Sequence, residues 1–276
     1  MRNNSINYHR LQNLLRYEWA FQNKFYLMGT IGIFIISFGV FLTVWFNQYS
    51  GFVWRSVDYN SIFFNGFIFL SVFGIGQSFV ELREKNTSIR HLTLPASTVE
   101  KYLIQVCTRL VLPLILYPIV FWLGANLSVD VYYFIQHQLL EKTALPEIHK
   151  VEVLYLYWIP RTTMDMNMVY WAIFGLTFSI PTLMFMGGIV FGKWNFIMMP
   201  LAVAIILALF FGSHFGLSWL VNASPFGAGG NYSIRIDNPE VMDGVPLLVF
   251  ISSILVWPAL FLTLLLPYLK LKEREV

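Results

Sequence analysis

The run FYLMGTIGIFIISFGVFLTVWF, Phe25–Phe46, decides the fold class. It holds 22 residues without a single Asp, Glu, Lys or Arg. A bilayer core of about 30 Å needs about 20 such residues in a helix. Five more apolar runs follow, one of them holding a single Arg: Ser61–Val80, Tyr102–Gly124, Val169–Gly192, Phe196–Leu217 and Pro246–Leu269. In lipid each backbone N–H and C=O must be satisfied within its own segment, so continuous apolar runs read as helices. A barrel would instead alternate apolar and polar residues over short segments. The expected fold is an all-α membrane protein of six spans, residues 1–276 forming one transmembrane domain with no soluble domain.

Composition agrees: 57% of the 276 residues are hydrophobic and 12% are charged. A soluble domain carries about twice that share of charge. Soluble enzymes and nucleic-acid binders are thereby excluded, and no nucleic-acid partner is expected. The single cysteine, Cys107, excludes an internal disulfide and a structural Cys cluster. Pro113, Pro118, Pro181, Pro200, Pro258 and Pro267 lie inside spans, where they read as kinks.

Basic residues set the orientation. Twelve Lys and Arg flank one side: those of the N-terminal tail, of the loop after span 2, Lys193, and Lys270, Lys272 and Arg274. The other side has five, Arg55, Lys142, Lys150, Arg161 and Arg235. Both termini are therefore expected in the cytoplasm, with the chain multi-pass in the cell (inner) membrane and span 1 acting as a signal anchor. Ahead of span 1, Tyr8, Leu11, Leu14, Leu15 and Trp19 share one helical face. This predicts an amphipathic helix on the inner leaflet, or an ordinary linker beside the membrane.

Few residues offer chemistry. There is no Walker A sequence, and the glycines 227, 229 and 230 read as a loop. The loop between spans 3 and 4 carries a short helix at Val129–Glu141 and a strand-like alternation at Val151–Trp158. His137 and Glu141 stand four apart, a spacing that suits either a shared metal or two unrelated side chains on a solvated helix. Met164, Met166 and Met168 form Met-x-Met-x-Met, whose soft thioethers suit Cu(I) and equally suit adaptable packing. Arg109 is the lone formal charge in a span. It either snorkels to the headgroups or faces a partner or substrate path. Ion coupling generally requires carboxylates within the membrane, and the six runs contain none.

The most informative loop is ELREKNTSIRHLTLPASTVEK, Glu81–Lys101. Ser97 and Glu100 have capping-box spacing, so the third helix should start there. Pro95 breaks any continuous helix between spans 2 and 3. A short helix, Ile89–Leu94, fits between, carrying Arg90, His91 and Leu92. With the six spans, the run Lys85-x-Thr87 … Leu92-x-Leu94-Pro95-x-Ser97 … Glu100-Lys101 resembles the corresponding loop in permease subunits of type-2 ABC exporters. The closest likeness is to a bacterial branch with a Leu-Pro-Ala-Ser-x-x-Glu-Lys pattern. The resemblance covers the topology of nearly the whole chain but only about twenty residues in motif. It implies an interfacial N-terminal helix, and a short coupling helix built from Ile89, Arg90, His91, Leu92, Leu94 and Pro95. It also implies a homodimer of permease chains on separate ABC ATPase subunits, with no cofactor and no catalysis on this chain. The long segment Ala125–Met168 departs from the tight hairpin usual there. A non-transporting membrane scaffold or sensor, and a permease serving copper-site assembly through the Met triplet, are the competing readings.

Overall fold

The computed structural model describes residues 7–48, 51–55, 58–83, 88–89, 93–141, 145–151, 164–221, 240–242 and 245–275. The first helix, α1, spans Tyr8–Phe46, 39 residues. Asn7 caps it by accepting from the His9 N–H at 3.0 Å. The expected interfacial helix is thus no separate element. Residues 20–24 contain neither Gly nor Pro, so nothing breaks the rod before Phe25. At 1.5 Å per residue α1 is about 58 Å long, roughly twice a hydrocarbon core.

Helix α2, Tyr59–Phe73, stops short of the expected end at Val80. Beyond Gly74 the chain tightens into single turns at Ile75–Gln77 and Val80–Leu82, with Phe79 left-handed at φ 55°. Helix α3, Thr98–Gln105, starts where the capping box places it, with Ser97 and Glu100 each bonded to the other's backbone N–H. It passes through a wide π-turn, Val106–Val111, into α4, Leu112–Phe134. The widening has a cause in the sequence. Pro113 lacks an N–H and its ring clashes with the carbonyl four residues back, that of Arg109. The Leu112 N–H correspondingly reaches back five residues, to the Cys107 carbonyl.

The expected helix at 129–141 is not separate either, because α4 and its last wide turn, Ile135–Leu139, continue span 3 to that point. Helices α5, Met164–Val190, α6, Asn195–Val221, and α7, Leu247–Glu275, complete the set. Among the described residues, five helical stretches are long and apolar enough to cross a membrane: Tyr8–Phe46, Tyr59–Gln77, Thr98–Gln138, Ile173–Val190 and Ile254–Arg274. The expected fifth span falls on α6, whose apolar stretch among the described residues is the shorter Gly192–Ile206. These apolar helices are those of a multi-pass membrane protein.

Aromatic packing holds α1, α2 and α4 together. Phe41, Phe63, Tyr117 and Phe121 are buried and meet ring to ring, with Phe63 5.0 Å from Tyr117 and 5.2 Å from Phe121. Polar tips end on defined acceptors: Trp45 Nε1 donates to Ser128 Oγ at 2.9 Å, and the Tyr117 hydroxyl to the Phe63 carbonyl at 2.6 Å. Where α4 crosses α1, a Cβ on Gly124 would collide with Ser37 Oγ. Small residues at such crossings let backbones approach, and packing of this kind drives helix association in lipid. Two-stranded pairings, β1 Val53–Trp54 with β2 Glu147–Ile148 and β3 Glu240–Met242 with β4 Val245–Pro246, lie in the connections. A second core joins Phe79, Leu110, Phe185 and Leu271. Beside it the Ser78 hydroxyl donates to the Phe185 carbonyl at 2.9 Å, and Asn195 Nδ2 donates to the Gly76 and Met184 carbonyls at 2.9 and 2.7 Å.

Candidate functional site

The π-turn of Val106–Val111 carries Arg109, and this residue is the centre of the site. Inserted residues of this sort recur at functional positions in helices. Arg109 is 2% exposed. Its Nη2 lies 3.4 Å from Glu18 Oε1 and 3.6 Å from Glu81 Oε1. Its guanidinium sits over the rings of Phe25 and Tyr26, at 5.4 and 5.3 Å. One cation is thus enclosed by two carboxylates and two aromatic faces. A cation over a ring is attracted by the ring quadrupole, more strongly where water is excluded.

The surrounding polar groups tie three elements together. Gln22 donates to Glu81 Oε1, and Gln105 Nε2 donates to Glu81 Oε2 at 3.3 Å. The Tyr26 hydroxyl lies 3.5 Å from Glu18 Oε1. Arg83 donates to Gln77 Oε1 at 2.6 Å and to the Gly76 carbonyl at 3.2 Å. Burial holds the Arg83 guanidinium below its usual range, with the Arg109 charge adding to the effect and Glu81 opposing it. Arg274 of α7 reaches the Leu82 and Ile189 carbonyls at 3.4 and 3.3 Å.

These groups line an open cavity of about 1190 Å³ bounded by α1, the turns after α2, the π-turn, the α5–α6 junction and the end of α7. Five basic residues, Lys24, Arg83, Arg109, Lys193 and Arg274, face it together with Glu18 and Glu81. Aromatic side chains such as Phe21, Phe25, Phe73 and Trp194 complete the wall.

A second polar node sits beside the Leu-Pro-Ala-Ser-x-x-Glu-Lys run. Glu100 is fully buried and holds the first turns of α1 and α3 at once. Its Oε2 accepts from the Ser97 N–H at 2.8 Å, closing the capping box, while its Oε1 accepts from the Asn7 N–H at 2.8 Å. Arg10 Nε lies 3.7 Å from the same oxygen. Glu100 therefore caps α3 and also anchors the start of α1.

Of the residues singled out in the sequence, Arg109 has the richest surroundings, and it is a buried partner of carboxylates rather than a snorkelling side chain. Its carboxylates lie outside the six apolar runs: because α1 begins at Tyr8, it carries Glu18 on the same rod as the first span. A sequence signal for this exists. Glu18, Gln22 and Tyr26 recur every four residues on α1, and Gln105 and Arg109 do so on the facing segment, a spacing that stacks side chains on one helix face. His137 and Glu141 do not share a helix face, since Glu141 follows the helix in a left-handed conformation, φ 49°. Among the described residues no group of three or more His, Cys, Asp or Glu could hold a metal. Met164, Met166 and Met168 begin α5, but their side chains lie outside the described residues. Of the expected coupling segment, Ile89, Leu94 and Pro95 are described, with Ile89 exposed and helical, while Arg90, His91 and Leu92 lie outside the described residues. Glycines 227, 229 and 230 and residues 152–158 also lie outside them. No family model matches this chain, and no curated protein and no solved structure is similar to it.

Proposed function

We propose that this chain is the transmembrane permease subunit of an ATP-driven ABC exporter. Six spans form the substrate path, two identical permease chains stand on two separate ATPase chains, and both termini face the cytoplasm of the cell (inner) membrane. ATP hydrolysis then belongs to the partner chains. The observation that carries this reading is the double attachment of Glu100. The loop whose motif resembles the coupling loop of such permeases ends on a carboxylate that also grips the start of α1. Its other end, at Glu81, is bonded to Gln22 on α1 and Gln105 on α3. A push arriving at Glu81 or Glu100, the two ends of the loop, is thereby delivered to α1 and α3 through hydrogen bonds. That is the mechanical requirement for a loop that carries an ATPase's motion into the membrane.

The test is the double variant Arg90→Glu with Leu92→Asp in the full-length chain. Charge and apolar anchors at the centre of an interface typically dominate its energy. The variant should insert in the membrane at wild-type level. It should either fail to retain the ATPase on mild-detergent purification or retain it with uncoupled ATP turnover. Wild-type retention and wild-type turnover together would leave the loop a mere connector and overturn the reading.

A further inference from the structure

We infer that the charged cavity is a binding site for a phosphate-bearing, net-anionic amphiphile, with Arg109 and Arg83 reading the phosphate and the aromatic wall receiving the first methylenes of its chains. This goes beyond the proposed transport function and does not depend on it. Three observations lead there. The first is charge: five basic side chains face the cavity against two carboxylates, so the site keeps a surplus of three positive charges after its internal ion pairs are counted. The second is unused donors. Arg109 is 2% exposed, yet its Nε and Nη2 have no hydrogen-bond partner. Its carboxylate contacts at 3.4 and 3.6 Å are ion pairs too long for good hydrogen bonds. Arg83 Nε is likewise buried without a partner. Buried N–H groups are nearly always satisfied, and exceptions call for an explanation. A tetrahedral oxyanion supplies what planar guanidinium forks lack here, since Arg recognises phosphate through paired N–H donors.

The third observation is the wall. Phe21, Phe25, Phe73 and Trp194 line the cavity and are each 46–59% exposed. Lys193 lies 5.7 Å from the Trp194 ring. Aromatic rings flanked by lysine are the arrangement found at the level of lipid headgroups. A free inorganic ion would leave the exposed aromatic wall uncovered. An apolar molecule would leave the guanidinium donors unsatisfied. A phosphodiester with one net negative charge and acyl chains meets both walls.

The test is native mass spectrometry of the full-length protein titrated in detergent with phosphatidylglycerol, phosphatidylcholine or inorganic phosphate. The wild type should retain one phosphatidylglycerol at least about tenfold more tightly than phosphatidylcholine, since each basic residue near an anionic headgroup adds to its attraction. Lys24→Gln with Lys193→Gln, both at the exposed rim, should cut that preference about tenfold without affecting folding. The charge-balanced variant Arg109→Gln with Glu18→Gln should abolish it. If that variant does not fold, the lysine pair decides. Phosphatidylglycerol that resists millimolar phosphate identifies the lipid as the ligand; displacement by phosphate identifies the headgroup chemistry as sufficient. Equal retention of the two lipids by the wild type, or unchanged preference in the lysine variant, would overturn the inference.

Discussion

Arg109 shows how one side chain depends on three elements. Its partners come from α1 and from the turn after α2. Removing one member of a buried charged set leaves the others uncompensated, at about 3–5 kcal/mol. Arg109→Gln should accordingly lower the melting temperature in detergent sharply, and the further changes Glu18→Gln and Glu81→Gln should recover most of the loss. If the triple variant is no more stable than the single one, the set is not held by charge. Glu100 gives a finer contrast. Ser97→Ala removes only a helix cap, about 1 kcal/mol. Glu100→Ala leaves that cap but removes the acceptor of the Ser97 N–H and also the acceptor of the Asn7 N–H. Hydrogen exchange at the first turn of α1 should therefore quicken in Glu100→Ala and stay near wild type in Ser97→Ala. Half of each residue's role is legible in the sequence. Ser97-x-x-Glu100 spacing locates the helix start because a cap is a local bond, whereas the Asn7 contact spans 93 residues and leaves no local trace. The oddity of Arg109 is equally plain in the sequence. Its carboxylates are hidden there because each lies just outside an apolar run, on a helix end that hydropathy alone does not extend.

At the scale of elements, the π-turn and the Gly124 crossing do the positioning. Pro113 forces the extra residue that turns Arg109 toward α1. Pro113→Ala restores an N–H and should let Val106–Val111 relax to ordinary helix, rotating Arg109 relative to Glu18. A double-cysteine pair at positions 18 and 109 in a Cys107→Ser background reads this directly. Crosslinking should be efficient with Pro113 present and weak once Pro113→Ala is added, and equal yields would assign the turn to packing instead. Gly124→Leu should cost about 1–3 kcal/mol through collision with Ser37, measured as a loss of thermal stability in detergent. Helix lengths are harder to read than helix existence. The apolar run of Phe25–Phe46 is bounded by Lys24, but helix-forming residues continue ahead of it, so α1 extends past the hydropathy boundary. Conversely the apolar run to Val80 outlasts its α-helix, because Gly74 and the left-handed Phe79 redirect the backbone.

For the whole molecule, the basic asymmetry makes a topological prediction. With Lys150→Cys in a Cys107→Ser background, a membrane-impermeant maleimide should label position 150 from outside intact cells. Labelling only after the cytoplasmic face is opened would sink the six-span arrangement. The large apolar surface fits this setting. Leu27, Met28, Ile31, Ile35 and Ile36 of α1 are each 48–68% exposed, a patch too large for a soluble monomer to leave bare.

Glu18 and Arg109 also impose a schedule on synthesis. The carboxylate belongs to α1, and its cation follows roughly ninety residues later in the chain. At about 5–20 residues per second that interval lasts about 5–20 s. Throughout it α1 carries an acid whose partner has not yet been made. Release of α1 into lipid is therefore expected to be delayed until the third span arrives, so the bundle is assembled as a group of helices and not one helix at a time.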